Sequence, residues 1–159
     1  MAREFSKISP AIWGSHRFLR RNSEERLLLL YFMTNEHQNS AGCYRLPDGY
    51  AMSDLGWNLE QYKTVRDQLV VAELISFDAY TSEIFVNRWF LHNPPTNPAH
   101  AKGAMTLISK IDSDKIRETV EAEFVATDWG ARMTENPSDL DPQTSNSRLA
   151  NTSLMKRAR

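Results

Sequence analysis

The chain has little cysteine, no long apolar run and no surplus of positive charge, and each shortage removes a class of protein. Its one cysteine, Cys43, cannot close an intrachain disulfide and has no second Cys or His at metal-ligand spacing. A reducing, cytoplasmic setting is therefore expected. The longest apolar run, Leu27 to Met33, falls far short of the ~20 residues that cross a bilayer, and no apolar stretch follows the N-terminal charges. Neither a membrane span nor export is expected. With 19 Lys and Arg against 20 Asp and Glu in 159 residues, the net charge is −1 and the protein cannot hold nucleic acid by global charge. Catalytic signatures are missing too: there is no Gly-rich phosphate loop, no GxSxG, no HExxH and no paired cysteines, and His16, His37, His92 and His100 are scattered. No enzyme, cofactor or metal is expected, and Cys43 reads as a small core residue.

What is present is uneven. Residues 1 to 37 carry six basic and four acidic side chains, 38 to 90 four and seven, 91 to 129 four and six, and 130 to 159 five and three. The basic excess sits at the two ends. In the first segment Lys7, Arg17, Arg20, Arg21 and Arg26 interleave with Trp13, His16 and Phe18, a candidate phosphate-contacting patch whose alternative is a solvated rim. From Gly130 onward apolar periodicity gives way to Asn, Ser, Thr, Pro and Asp. This segment reads as a disordered tail, and its closing LMKRAR reads as a soluble terminus before a docking motif.

Local signals place the elements. REFSKIS suggests a short strand, and Pro10 opens a brief helix ended by Gly14 that would bury Ile12 and Trp13. Asn22 with Glu25 forms a capping-box pattern before RLLLLYFMTNEH, apolar nearly all round and so expected to be a buried central helix. GCYRL reads as a strand. Asp48 caps a helix through Leu55, stopped by Gly56. Asn58 then opens a helix from Leu59 to about Glu73, with Tyr62, Val65, Leu69 and Ala72 facing a core. Around the turn DAYTSE, Ile75, Phe77, Ile84 and Val86 alternate as a hairpin. HNPPTNP is a rigid connector to two helices, the first started by Asn97 and the second by Asp112 or Ser113. The apolar stripes of these two helices must be covered by the rest of the chain or by a second copy.

The expected fold is α+β and mainly α: a winged helix-turn-helix over residues 5–90, a connector and two-helix extension over 91–129, and a flexible polar tail over 130–159. Four stretches, SPAIWGSHRFLRRNSEERLLLLYFMTN, AGCYRLPDGYAMSDLGW, LEQYKTVRDQLVVAELISFD and IFVNRWFLHNPPTNPAHAKGA, together resemble the DnaD-like winged-helix domain that begins phage and prophage replication-initiation or replisome-organiser proteins. The resemblance spans roughly residues 5 to 104 and is one of residue pattern and element order. It implies work in DNA replication in a bacterial host cytoplasm, by origin binding or helicase-loader recruitment, often with oligomerisation. Many relatives continue into a second domain. Here a polar tail follows instead.

A DNA reading assigns Lys7, Arg17, Arg20 and Arg21 to phosphates. Gln61, Lys63, Thr64, Arg66 and Gln68 are assigned to the groove, as residues of the recognition helix. Glu60 and Asp67 oppose that assignment, and the wing tip from Asp78 to Glu83 has no cation. The partners expected are double-stranded DNA, a replication protein and further copies of the chain. A transcriptional regulator is an alternative with the same fold. A protein-interaction module with little DNA affinity is another. Its contacts would be Val70, Val71, Tyr80, Trp89 and Phe90, or the stripe Ile116, Val120, Phe124 and Trp129.

Overall fold

The computed structural model describes residues 4–135. After an irregular arm, a 3-10 helix spans Pro10–Gly14 and α1 spans His16–Leu19. There follow α2 (Ser23–Thr34), β1 (Cys43–Arg45), α3 (Asp48–Leu55), α4 (Leu59–Val71), β2 (Ile75–Asp78), β3 (Glu83–Val86), α5 (Trp89–His92), α6 (Pro98–Ser109), α7 (Asp114–Val125) and α8 (Asp128–Glu135). The protein is thus α+β and mainly helical. REFSKIS, expected as a strand, has no regular structure over its described residues.

The helix starts follow local chemistry. The Asn22 side chain accepts from the Glu25 amide at 2.9 Å while the Glu25 carboxylate accepts from the Asn22 amide at 3.2 Å, satisfying two amide donors that have no partner within the helix. Asn58, Asn97 and Ser113 cap α4, α6 and α7 by the side-chain half of this arrangement alone, each accepting an amide three residues on, whereas α3 begins after Pro47 with Asp48 as its first residue. α2 is less enclosed than its composition suggests. Leu28, Leu29 and Phe32 are buried, but Leu27 stays half exposed, on a side of α2 that α4 does not cover. Gly56 ends α3 with φ +67°. At the end of α4 the Leu74 amide reaches the Leu69 carbonyl (3.0 Å) and the Glu73 amide reaches that of Val70 (2.9 Å), a Schellman closure that puts Glu73 at φ +56°.

The sheet has the order β1-β3-β2, antiparallel throughout, with Tyr44 and Phe77 both opposite Ile84. All four residues of the central strand β3 are buried, rather than alternating, because α7 lies against the hairpin as well. Burial pushes the Cys43 thiol well above its usual range, which keeps it protonated and inert.

The C-terminal helices complete the core from within the chain. Ile116, Val120 and Phe124 are buried, and the Phe124 ring meets Phe90 edge-on at 5.4 Å. The expectation that this stripe faces another molecule is corrected: its apolar area is already removed from water by α5 and α6 and by the hairpin. Trp89 and Phe90 are likewise buried rather than exposed. α8 carries the helical part past residue 129, with Gly130 and Met133 buried, and Thr127 Oγ accepts the Gly130 amide at 3.0 Å. The polar tail therefore cannot begin at 130. Its remainder, 136–159 with LMKRAR, lies outside the described residues.

Candidate nucleic-acid interface

α4 has two faces set by its period. Tyr62, Val65 and Leu69 pack inward, and burial pushes the Tyr62 phenol up to about 12. Lys63, Thr64 and Gln68 are exposed on the other face together with Glu60 and Asp67. Two of the expected reading residues are elsewhere. Arg66 is 6% exposed: its guanidinium lies 3.2 Å from both Asp48 and Asp67, and 3.8 Å above the centre of the Phe77 ring. It ties α4 to α3 and β2, so its assignment to the groove is corrected. The reason is positional, since Arg66 comes four residues after Tyr62 and three before Leu69, at the edge of the buried stripe. Gln61 donates to Glu24 Oε1 at 2.7 Å and so braces α4 against α2.

The basic segment runs beside this helix. Arg17 donates to the Glu73 carbonyl at 2.5 Å, and Glu24 holds Gln61, so the chain from Arg17 to Glu24 is anchored at both ends of α4. These anchors lie about 18 Å apart at ~1.5 Å per residue. Between them in the chain, Arg20 is exposed and Arg21 is partly exposed in a pair with Glu25 at 3.6 Å. Arg17 is half-buried. Burial, with Arg88 nearby, lowers its pKa while Glu73 and Glu123 oppose the shift, and a guanidinium remains charged regardless. Lys7 is exposed on the arm, its ammonium 5.8 Å from the centre of the Phe5 ring.

The acidic hairpin proves to be directed inward. Glu83 accepts the Asp112 and Ser113 amides at 2.9 and 2.8 Å, and Asp78 accepts the Ser113 hydroxyl at 2.6 Å and the Tyr80 amide at 2.8 Å. These carboxylates fasten the hairpin to the N-terminus of α7, where the helix dipole favours them. The hydroxyl bond lowers the Asp78 pKa. At the turn Tyr80 is 97% exposed.

Of the residues assigned to partner contact, Trp129 is half-buried, with the Arg132 guanidinium 5.1 Å from its ring centre, while Val70 and Val71 are exposed on α4. Sequence reasoning missed three residues here. Asn87 joins Ser76 to the Glu73 carbonyl, Arg88 takes a left-handed conformation at φ +64° before α5, and Trp13 stays in solvent although it was expected to be buried. The alternation of cation and aromatic around Trp13 was the available signal. Among the described residues no group of three His, Cys, Asp or Glu is placed to hold a metal, and no helix is long and apolar enough to cross a membrane. Comparison with family models, with curated proteins and with solved structures found no match.

Proposed function

We propose that this chain is a winged-helix DNA-binding protein of the phage or prophage replication-initiation kind, acting by binding rather than by catalysis in a bacterial cytoplasm. The order α2-β1-α3-α4-β2-β3, with sheet order β1-β3-β2, is the one expected of a winged helix-turn-helix. In this reading Lys63, Thr64 and Gln68 approach base edges from α4, and Arg20 and Arg21 meet the flanking phosphates. The observation that carries it is the anchoring of the Arg17–Glu24 segment at both ends of α4, which sets residues 17–23, free of Asp and Glu, beside that helix. The acidic turn is a smaller obstacle than its composition implies, because Asp78 and Glu83 are engaged with α7.

The test is a duplex-binding titration at two salt concentrations. Each phosphate contact contributes about 0.9 to the slope of log K against log salt, so Arg20→Ala with Arg21→Ala should lower that slope by about 1 to 2. Binding without salt dependence, or a slope unchanged in the double variant, refutes the reading. A preferred duplex at an origin supports replication, and one at a promoter supports transcriptional control. A second reading is favoured by the exposure of two large apolar side chains, Val71 (85%) at the end of α4 and Tyr80 (97%) at the hairpin turn: a protein contact with a replication partner or a second copy. Light scattering of wild type and Val71→Glu checks it, since a monomer in both cases removes the self-association form.

A further inference from the structure

The strand ends opposite the Tyr80 turn border a groove of about 390 Å³, within the ~300–1,000 Å³ usual for small-ligand sites. Lys7, Arg17, Arg88 and His92 line it, and no Asp or Glu does. Glu73 and Glu123, the carboxylates that act on Arg17, line the neighbouring cleft instead. The floor is apolar, with buried Phe18 and Leu29 contributing. Cations around an apolar floor, without a carboxylate, suit an anion that carries a flat apolar body.

The rim adds a second feature. Trp13 directly follows Ile12, which lines the groove, and is 61% exposed. Its ring meets Phe18 at 5.4 Å and 82°, a contact that holds the indole in place. Phe5 is also exposed, with Lys7 beside its ring, and residues 5–23 contain no Asp or Glu. Exposed aromatic faces among cations are what single-stranded nucleic acid requires, since its unpaired bases stack on rings while its phosphates follow the positive charge. A duplex offers no free base face to Trp13.

We propose that this groove and its rim bind single-stranded nucleic acid, separately from any duplex contact made by α4. Trp13 stacks a base, the groove receives a neighbouring unstacked base, and Lys7 and Arg88 hold the phosphates. The distance from Lys63 sets the two surfaces apart. Arg17 meets α4 at Glu73, about 15 Å along the helix from Lys63.

The test uses the full chain and a labelled oligothymidylate of about ten nucleotides, within the ~4–16 covered by single-strand binding folds. Fluorescence anisotropy should show salt-sensitive binding. Trp13→Ala should weaken it at least about fivefold, the fold-change at the low end of base–aromatic stacking. Lys7→Ala with Arg88→Ala should lower the salt slope by roughly 1 to 2. Lys63→Ala should leave oligothymidylate binding unchanged while it weakens duplex binding, so a wild type that binds oligothymidylate but no duplex refutes the α4 reading and not this one. No binding of oligothymidylate, equal binding by the Trp13 variant, or equal displacement by an oligoglutamate peptide overturns the proposal, the last by making the groove a dock for acidic protein segments. All the substituted side chains except Arg88 lie on the arm, the 3-10 helix or the exposed face of α4. Unchanged circular dichroism and melting temperature then separate lost binding from lost fold.

Discussion

The two ends of the β2–β3 hairpin carry opposite charge and treat it in opposite ways. At the turn end the carboxylates of Asp78 and Glu83 are engaged with the amides and hydroxyl at the start of α7. At the base, Arg88 and the arm's Lys7 line an open groove that no carboxylate lines. A segment's formal charge is therefore a poor guide to the field it presents. Acidic residues that cap a neighbouring helix have their oxygens engaged by its amides and hydroxyl as part of the fold, while cations on an arm remain available to a ligand.

The most drastic way to break the base without touching the turn is Gly42→Ala. Gly42 has φ +69°, and a Cβ there would overlap the Trp89 ring, whose Nε1 is fixed on the Ser40 carbonyl at 3.1 Å. A stability loss of about 3 kcal/mol or more is expected, read from urea denaturation. Arg66→Ala comes next. It removes the stacking on Phe77 and both ion pairs, but Asp48 and Asp67 are exposed enough to rehydrate, so about 2 kcal/mol is expected. Duplex affinity of the folded variant should not change. A tenfold loss of affinity with fold intact would return Arg66 to the groove.

Acid sharpens the comparison further, because the two ends respond with opposite sign. Asp78 has a folded pKa below its unfolded value of ~3.9, so its contribution is present above that value and is lost as pH falls through the folded pKa. Glu123, next to the base, is raised by burial although it accepts the Arg88 amide at 2.7 Å. Its contribution is complete below the unfolded value of ~4.3 and is lost as pH rises through the folded pKa. Melting curves of Asp78→Asn should flatten the acid limb below about pH 4, and Glu123→Gln should flatten the decline above it. Identical limbs in either variant would contradict the corresponding direction. The smallest effect belongs to Glu73→Gly, which relieves a left-handed conformation at the end of α4 for a net gain of about 0.5 kcal/mol in melting experiments.

Legibility followed the range of the interaction. Asn22, Asn58, Asn97, Ser113 and Gly56 were readable because a cap is completed within three or four residues of chain. Tyr62, Val65 and Leu69 were readable because a single helical period predicts one buried side. The candidate site was legible only in part. Lys63, Thr64 and Gln68 emerged on the exposed face, but Arg66 and Gln61 were claimed by α3 and α2, partners 18 and 37 positions away. The stripe of Ile116, Val120 and Phe124 announced that something covers it without saying what. Trp13 looked like core by composition and stayed outside, because nothing in the fold reaches across to bury it.

What the sequence determined by itself was the string of elements, their caps and turns, and the uneven distribution of charge, all properties of neighbouring residues. Only the tertiary structure decided which charges face solvent. Glu83 is reached by amides 29 and 30 residues further on, and Arg17 by a carbonyl 56 residues away. A formal charge is therefore engaged with a helix start at one end of the hairpin and lines an open groove at the other. Burial and hydrogen bonding depend on through-space neighbours, which a linear pattern of residue types does not specify.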